Sequence, residues 1–222
     1  MTADVKNSAT LAETMRQIGD RARQARDTLA RSPGEQRSRA LTAAAAELSR
    51  QQDAVLAANT RDLARAKSRG LSAALLDRLA LDEARLAAVC GGLLTIASMP
   101  DPLGRVLAEW QRPNGLAIQR IAVPLGVIGI IYESRPNVSA DAAALCIKAG
   151  NAVILRGGSE SFNSNRAIHR CLCDGLAAAG LPVDAVQMVP TRDRDAVGYL
   201  LSGLTVARWQ DRKSTRLNSS HT

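Results

Sequence analysis

Aromatic side chains are nearly missing: 222 residues hold one Phe, two Tyr and two Trp. Surfaces that bind single strands stack bases on aromatic faces at intervals, so the composition argues against a base-stacking nucleic-acid binder. No apolar run approaches the ~20 residues that a membrane-spanning helix needs. The opening MTADVKNSATLAETMRQ lacks a hydrophobic signal core, so a cytoplasmic chain with no membrane partner is expected. Histidine is limited to His169 and His221, and no Ser-His-Asp, metal-binding or two-carboxylate constellation can be assembled. The four cysteines are Cys90, Cys146, Cys171 and Cys173. Cys171-x-Cys173 is one residue too close for a redox or zinc pair, which leaves buried free thiols as the expectation. Charge is plentiful. The net value is +8, of which +3 falls within 206–222. Elsewhere Arg and Lys alternate with Asp and Glu, as on a solvated surface; a nucleic-acid partner would need one basic face.

Periodicity supplies what composition does not. Thr10-x-x-Glu13 has the form of a capping box, followed by Leu11, Met15, Ile18, Ala22, Ala25 and Leu29 at helical spacing. Ser32-Pro33-Gly34-Glu35 opens a second helix to about Arg50, and a further short helix stops at Gly70. Asp82 starts another, with Leu86, Val89, Leu93 and Ile96 on one face, ended by Pro100. These stripes are narrow and Ala-rich, so they need something else to pack on. Within 105–123, Arg112-Pro113-Asn114-Gly115 reads as a hairpin turn.

From Val127 the pattern becomes strand, helix, strand. Strands are predicted at Val127–Tyr132, Ala152–Leu155 and Ala185–Val189, with helices at Val138–Ala149, Asn163–Ala179 and about Asp193–Leu201. Links this short require right-handed crossovers and a parallel sheet. A fourth strand is due after Leu204, yet Asp211–His221 is polar and basic and resembles the in-frame translation of a sequencing adapter. The segment 206–222 is therefore expected to be a non-native tail, a natural basic tail being the other reading. The sheet would then stop at three strands with an open apolar edge.

Three segments place polar residues at the carboxyl edge of that sheet, where ligands of parallel sheets bind. The first delivers Glu133, Ser134, Arg135 and Asn137 before a helix N-terminus. The Asn137 carboxamide could donate to a developing oxyanion, or serve as a plain N-cap. The second, Arg156-Gly157-Gly158-Ser159, could bring backbone N–H groups and a guanidinium to a phosphate, although G-x-G-x-x-G is absent. The third is Pro190-Thr191. His169, in mid-helix, reads as a surface or packing residue.

The runs Pro124–Val138 (PLGVIGIIYESRPNV) and Gly150–Glu160 (GNAVILRGGSE), with Ala58–Leu63 (ANTRDL), Gly70-Leu71-Ser72 and Leu76–Leu79 (LDRL) upstream, resemble the gamma-glutamyl phosphate reductase family of the aldehyde dehydrogenase superfamily. The resemblance covers the first helices to about Thr205. It implies an α/β, aldehyde dehydrogenase-like fold with N-terminal helices, a truncated parallel Rossmann-like sheet and a projecting β-hairpin. Residues 1–104 would be the helical part of the cofactor-binding domain, 105–123 an oligomerisation arm, and 124–205 an incomplete dinucleotide-binding sheet. The implied reaction is NADPH-dependent reduction of L-glutamyl 5-phosphate to the 5-semialdehyde in proline synthesis, by a homo-oligomer. A cysteine thiolate would attack the acyl phosphate, phosphate would leave, and hydride would reduce the thioester. By similarity Asn137 would be the oxyanion donor. Arg156, Gly157, Gly158, Ser159, Pro190 and Thr191 would hold NADP(H), with the neutral Ser159 beside Arg156 suiting a 2′-phosphate. None of the four cysteines matches the family's catalytic thiol, so the chain is expected to be an inactive N-terminal piece. A non-catalytic NADP(H)-binding module is the alternative.

Overall fold

Strands buried on both faces must find helices on both sides, and the chain supplies them. A computed structural model describes residues 2–202 and 208–211. Five helices come first: α1 (Thr2–Arg31), α2 (Gly34–Arg50), α3 (Gln52–Ser68), α4 (Ala73–Leu79) and α5 (Glu83–Ser98). An antiparallel hairpin, β1 (Val106–Gln111) and β2 (Ala117–Ile121), then precedes β3 (Val127–Ile131), α6 (Asn137–Lys148), β4 (Ala152–Arg156), α7 (Phe162–Ala178), β5 (Val186–Met188), α8 (Asp195–Leu201) and β6 (Arg208–Asp211). The sheet order is β5-β4-β3-β6, with every pairing parallel. No helix of the described residues is long and apolar enough to cross a membrane.

The central strand β4 is buried along its whole length. Its alternate side chains divide two cores. Val153 and Leu155 join residues of α2, α5, α6 and α7, whereas Ala152 and Ile154 join Met15, Ile18 and Ala22 of α1 and Ala196 and Leu200 of α8. On the first side, Gly175 of α7 lies against α2 so closely that a Cβ would come 2.6 Å from the Ala44 nitrogen. The entry to β3 is fastened by Asn151, whose Oδ1 accepts from Leu125 N (2.6 Å) and Gly126 N (2.9 Å). Asn151 thus sets where the apolar run turns from loop to strand.

Four expectations change. Helix α1 already runs upstream of Thr10, so Thr10–Glu13 caps nothing; Glu13 instead accepts from Arg16 (2.7 Å) and Gln17 (2.7 Å) on the helix surface. The helix ending near Gly70 is not short: α3 has 17 residues, matching α2. Helix α4 had no periodic signal, because tertiary bonds hold it rather than an apolar stripe. The sheet also has a fourth strand, drawn from the segment expected to lie outside it. Arg208–Asp211 pairs in parallel with Ile128–Ile131, so the β3 edge is not left open. Parallel pairing uses main-chain groups, and an edge strand tolerates polar side chains, so composition alone does not forbid it. The rest of that tail, 206–207 and 212–222 with His221, lies outside the described residues.

Two buried polar residues of α3 join it to the first turn of α7 and to the end of α4. Asp62 is fully buried and accepts four hydrogen bonds from the first turn of α7: Asn163 N (3.2 Å) and Nδ2 (2.8 Å), Ser164 N (2.8 Å) and Oγ (2.7 Å). Asn59 donates to Leu79 O (2.8 Å) and Ser164 Oγ (3.1 Å), and accepts from Leu81 N (2.8 Å). Substituting Asp62→Ala strands these donors in the interior and should cost about 3 kcal/mol or more, read from urea unfolding.

His169 of α7 makes a 2.9 Å contact from Nε2 to the Val186 carbonyl, which only a protonated Nε2 can satisfy as donor. Burial holds its imidazole below the ordinary value of 6.5, outweighing the Val186 bond. The unfolded chain therefore takes up a proton at a higher pH than the folded one. Stability should be full above about pH 6.5 and decline below it. Urea midpoints should fall from about pH 7.5 to 5.5, and fall less in His169→Gln.

Candidate functional site

Parallel strands end together, so the loops after β3, β4 and β5 share one edge of the sheet. The strand order brings them into contact. A Cβ on Gly158 would lie 3.3 Å from Ser134 N and 3.4 Å from Glu133 C, so the loop after β4 rests directly on the loop after β3. Gly157 is equally confined: an added Cβ would reach within 3.1 Å of the Tyr132 ring and collide with the Asn165 amide. Close packing thus accounts for both glycines. Tyr132 is itself fixed, with its hydroxyl 2.6 Å from Ser139 Oγ, and burial raises its pKa.

Arg156 sits at the end of β4 and is buried. Its guanidinium reaches across the edge: Nη2 donates to the carbonyls of Arg192 (3.3 Å) and Asp193 (3.2 Å), and Nη1 to that of Gly157. It therefore ties the β4 and β5 loops together, a role that spacing did not suggest. Nε alone is left buried without a partner. Desolvation lowers the Arg156 pKa, opposed by the Glu160 and Tyr132 side chains.

Ser159 donates to Glu160 Oε1 at 2.8 Å. Burial alone would raise the Glu160 carboxyl. The Ser159 bond, the Glu160 backbone bond, Arg69 and Arg194 outweigh it and hold the group below its ordinary value. The neutral serine read from the sequence is therefore bonded to an ionised carboxylate, a neighbour that spacing alone did not bring into the argument. Thr191 Oγ1 accepts from Asp193 N (3.0 Å), shaping the third loop, and Pro190 is exposed. Behind these loops the Arg192 guanidinium stacks 4.1 Å from the Phe162 ring centre.

Asn137 is not the cap of α6 but its first residue, after Pro136. Its Nδ2 donates to Asp141 Oδ2 at 3.2 Å, one turn on. An amide nitrogen has two hydrogens, so one remains to be given elsewhere. Asn137 lines a cavity of about 380 Å³ with Asp77, Arg78, Arg85, Arg135 and Asp141. A second cavity of about 450 Å³ lies beyond Arg78 and Arg135, between α4, α8 and the β3–α6 loop. Arg78, seen only as part of the LDRL run, and Asp141 were not read as site residues, since only folding brings α4 to this edge.

No thiol is poised to react. All four cysteines are free, and none lines the cavity that holds Asn137. Burial pushes Cys146 up to about 12 and is the first cause that pushes Cys171 and Cys173 to about 11; it also raises Cys90. Among the described residues no cluster of His, Cys, Asp and Glu could hold a metal ion.

The family model described as "Aldehyde dehydrogenase family" matches residues 3–207. Gamma-glutamyl phosphate reductase of Rhodospirillum rubrum is 62% identical over 185 residues, covering 83% of this chain and 43% of the relative. The crystal structure of gamma-glutamyl phosphate reductase from Thermotoga maritima matches with a TM-score of 0.87 at 33% identity, over 90% of this chain and 49% of that one. The Saccharomyces cerevisiae structure of the same name gives 0.76 at 37% identity, over 81% and 47%. The chain spans about half the length of the curated relatives it matches. Substitution of Gly157 by Ala should destabilise the chain by about 1–3 kcal/mol in urea unfolding, because ring and amide must both give way.

Proposed function

The chain belongs to the aldehyde dehydrogenase family, and from that premise we propose that it carries the cofactor-holding part of a gamma-glutamyl phosphate reductase. The reaction would be reduction of L-glutamyl 5-phosphate to L-glutamate 5-semialdehyde by NADPH with release of phosphate, a step in proline synthesis. The observation that carries this reading is that curated relatives and solved structures with substantial identity agree on one enzyme.

The residues at the sheet edge fit a dinucleotide: a buried guanidinium nitrogen without a partner at Arg156, and hydroxyls at Ser159 and Thr191 on adjoining loops. Arg156, Gly157, Gly158, Ser159, Pro190 and Thr191 would hold NADP(H). Arg156, Arg69 and Arg194 offset the Glu160 carboxylate and favour a 2′-phosphate. When bound, the cofactor supplies the hydride. Asn137, steadied by Asp141, would turn its remaining N–H toward the oxyanion formed at the acyl carbon. The hairpin would serve as a self-association arm, since Val106, Leu107, Trp110 and Ile121 are all exposed on it.

A second reading is favoured by the state of the thiols: an NADP(H)-binding module without catalysis. The two readings are separated by measurement. Fluorescence titration should show saturable NADPH binding to the 222-residue chain, weakened about tenfold in Arg156→Ala; a folded chain that fails to bind overturns the cofactor assignment. The same chain should show no semialdehyde- and phosphate-dependent reduction of NADP⁺, because attack on an acyl carbon needs a thiolate near Asn137. A protein of the relatives' full length that contains these residues should show that activity, and its failure would refute the reductase reading.

A further inference from the structure

An α-amino acid activated at its side-chain carboxyl presents a second anion, the α-carboxylate, at the end remote from the reaction. Resting on the reductase reading, we propose that Arg78 and Arg135 bind that α-carboxylate in the cleft between α4 and the β3–α6 loop.

Arg78 comes from the last turn of α4, and Arg135 from the loop two residues before Asn137. They are the two residues that line both cavities, the one containing Asn137 and the larger one beyond it. The charges around them are already committed. Arg85, the third arginine here, donates to Asp77 Oδ1 (2.6 Å) and to the carbonyls of Asp77 (2.5 Å) and Ala80 (3.0 Å). Asp141 accepts from Asn137. Among the described residues neither Arg78 nor Arg135 makes a side-chain hydrogen bond or ion pair. Two guanidiniums on one cleft repel each other, and a carboxylate between them turns that repulsion into charge-assisted hydrogen bonds. Glu133 lines the larger cavity with them. A carboxylate there favours a ligand whose anion stands beside an ammonium, as in an α-amino acid, over a simple dicarboxylate. Leu75, Ile131 and Val138 offer apolar wall to the methylenes between the two ends. The site thus places amino-acid recognition on α4 and the β3–α6 loop, apart from the loops assigned to the cofactor.

Calorimetric titration of the 222-residue chain, with L-glutamate as probe, tests this. L-glutamate should bind saturably, and Arg78→Gln and Arg135→Gln should each weaken it about tenfold. Both side chains are exposed, so neither substitution should disturb folding. NADPH affinity should be unchanged in both variants. Glutarate, which lacks the ammonium, should bind more weakly than L-glutamate, and inorganic phosphate should not displace it. Loss of glutamate binding in the variants supports the assignment even if the chain fails to bind NADPH, a result that would count against the cofactor reading alone. Absence of glutamate binding by the folded chain overturns it, as does binding insensitive to both substitutions. Equal competition by phosphate would also overturn it, by showing a general anion site.

Discussion

A buried carboxylate held by hydrogen bonds rather than by an ion pair organises this molecule. Asp62 has no salt bridge within the described residues; the first turn of α7 surrounds it with donors instead. The unpaired N–H groups of a helix start are the natural counterpart of such an anion. Because α7 follows β4, the bonds set where the β4 loop ends. Because Asn59 also holds Leu79 and Leu81, the same stretch of α3 carries α4 and α5 with it. The helical layer is thereby indexed to the sheet edge at one place, and the cleft beside α4 exists as a consequence.

At that edge, polar groups serve the scaffold before any ligand arrives. Arg156 spends two of its nitrogens on carbonyls of neighbouring loops, and Ser159 holds Glu160. Gly157 and Gly158 are small because side chains and backbone crowd them. A site assembled this way is rigid, and its loops reach a ligand with little left to order. The thiols show the converse. Burial raises the pKa of all four, so each stays protonated and none is poised as a nucleophile.

Much of this architecture was legible beforehand, for local reasons. Val127–Ile131 and Ala152–Arg156 are short, nearly continuous apolar runs, a signature of strands buried on both faces. Asp82 caps α5 as its position suggests, accepting from Arg85 N at 2.7 Å. Where the sequence misled, the cause was either the start of the same helix further upstream or a partner distant in the chain. Thr10 looked like a helix start because a capping motif does not reveal that the helix is already under way. Helix α4 has a buried Leu79 and bonds from Asn59 in place of an apolar stripe. The Arg208–Asp211 strand depends on an available edge of β3, to which its own composition gives no clue.

Periodicity, turn chemistry and the long apolar runs, all properties of residues near one another in the chain, were enough to determine an α/β scaffold with its loops at one edge. Tertiary structure alone decided the use to which each polar side chain is put. Asp62 and Asn163 stand far apart in sequence, as do Arg156 and Asp193, or Arg78 and Arg135, and a hydrogen bond or a shared cavity is a relation between such residues. Its strength depends on burial and direction, which come into being only when the layers close.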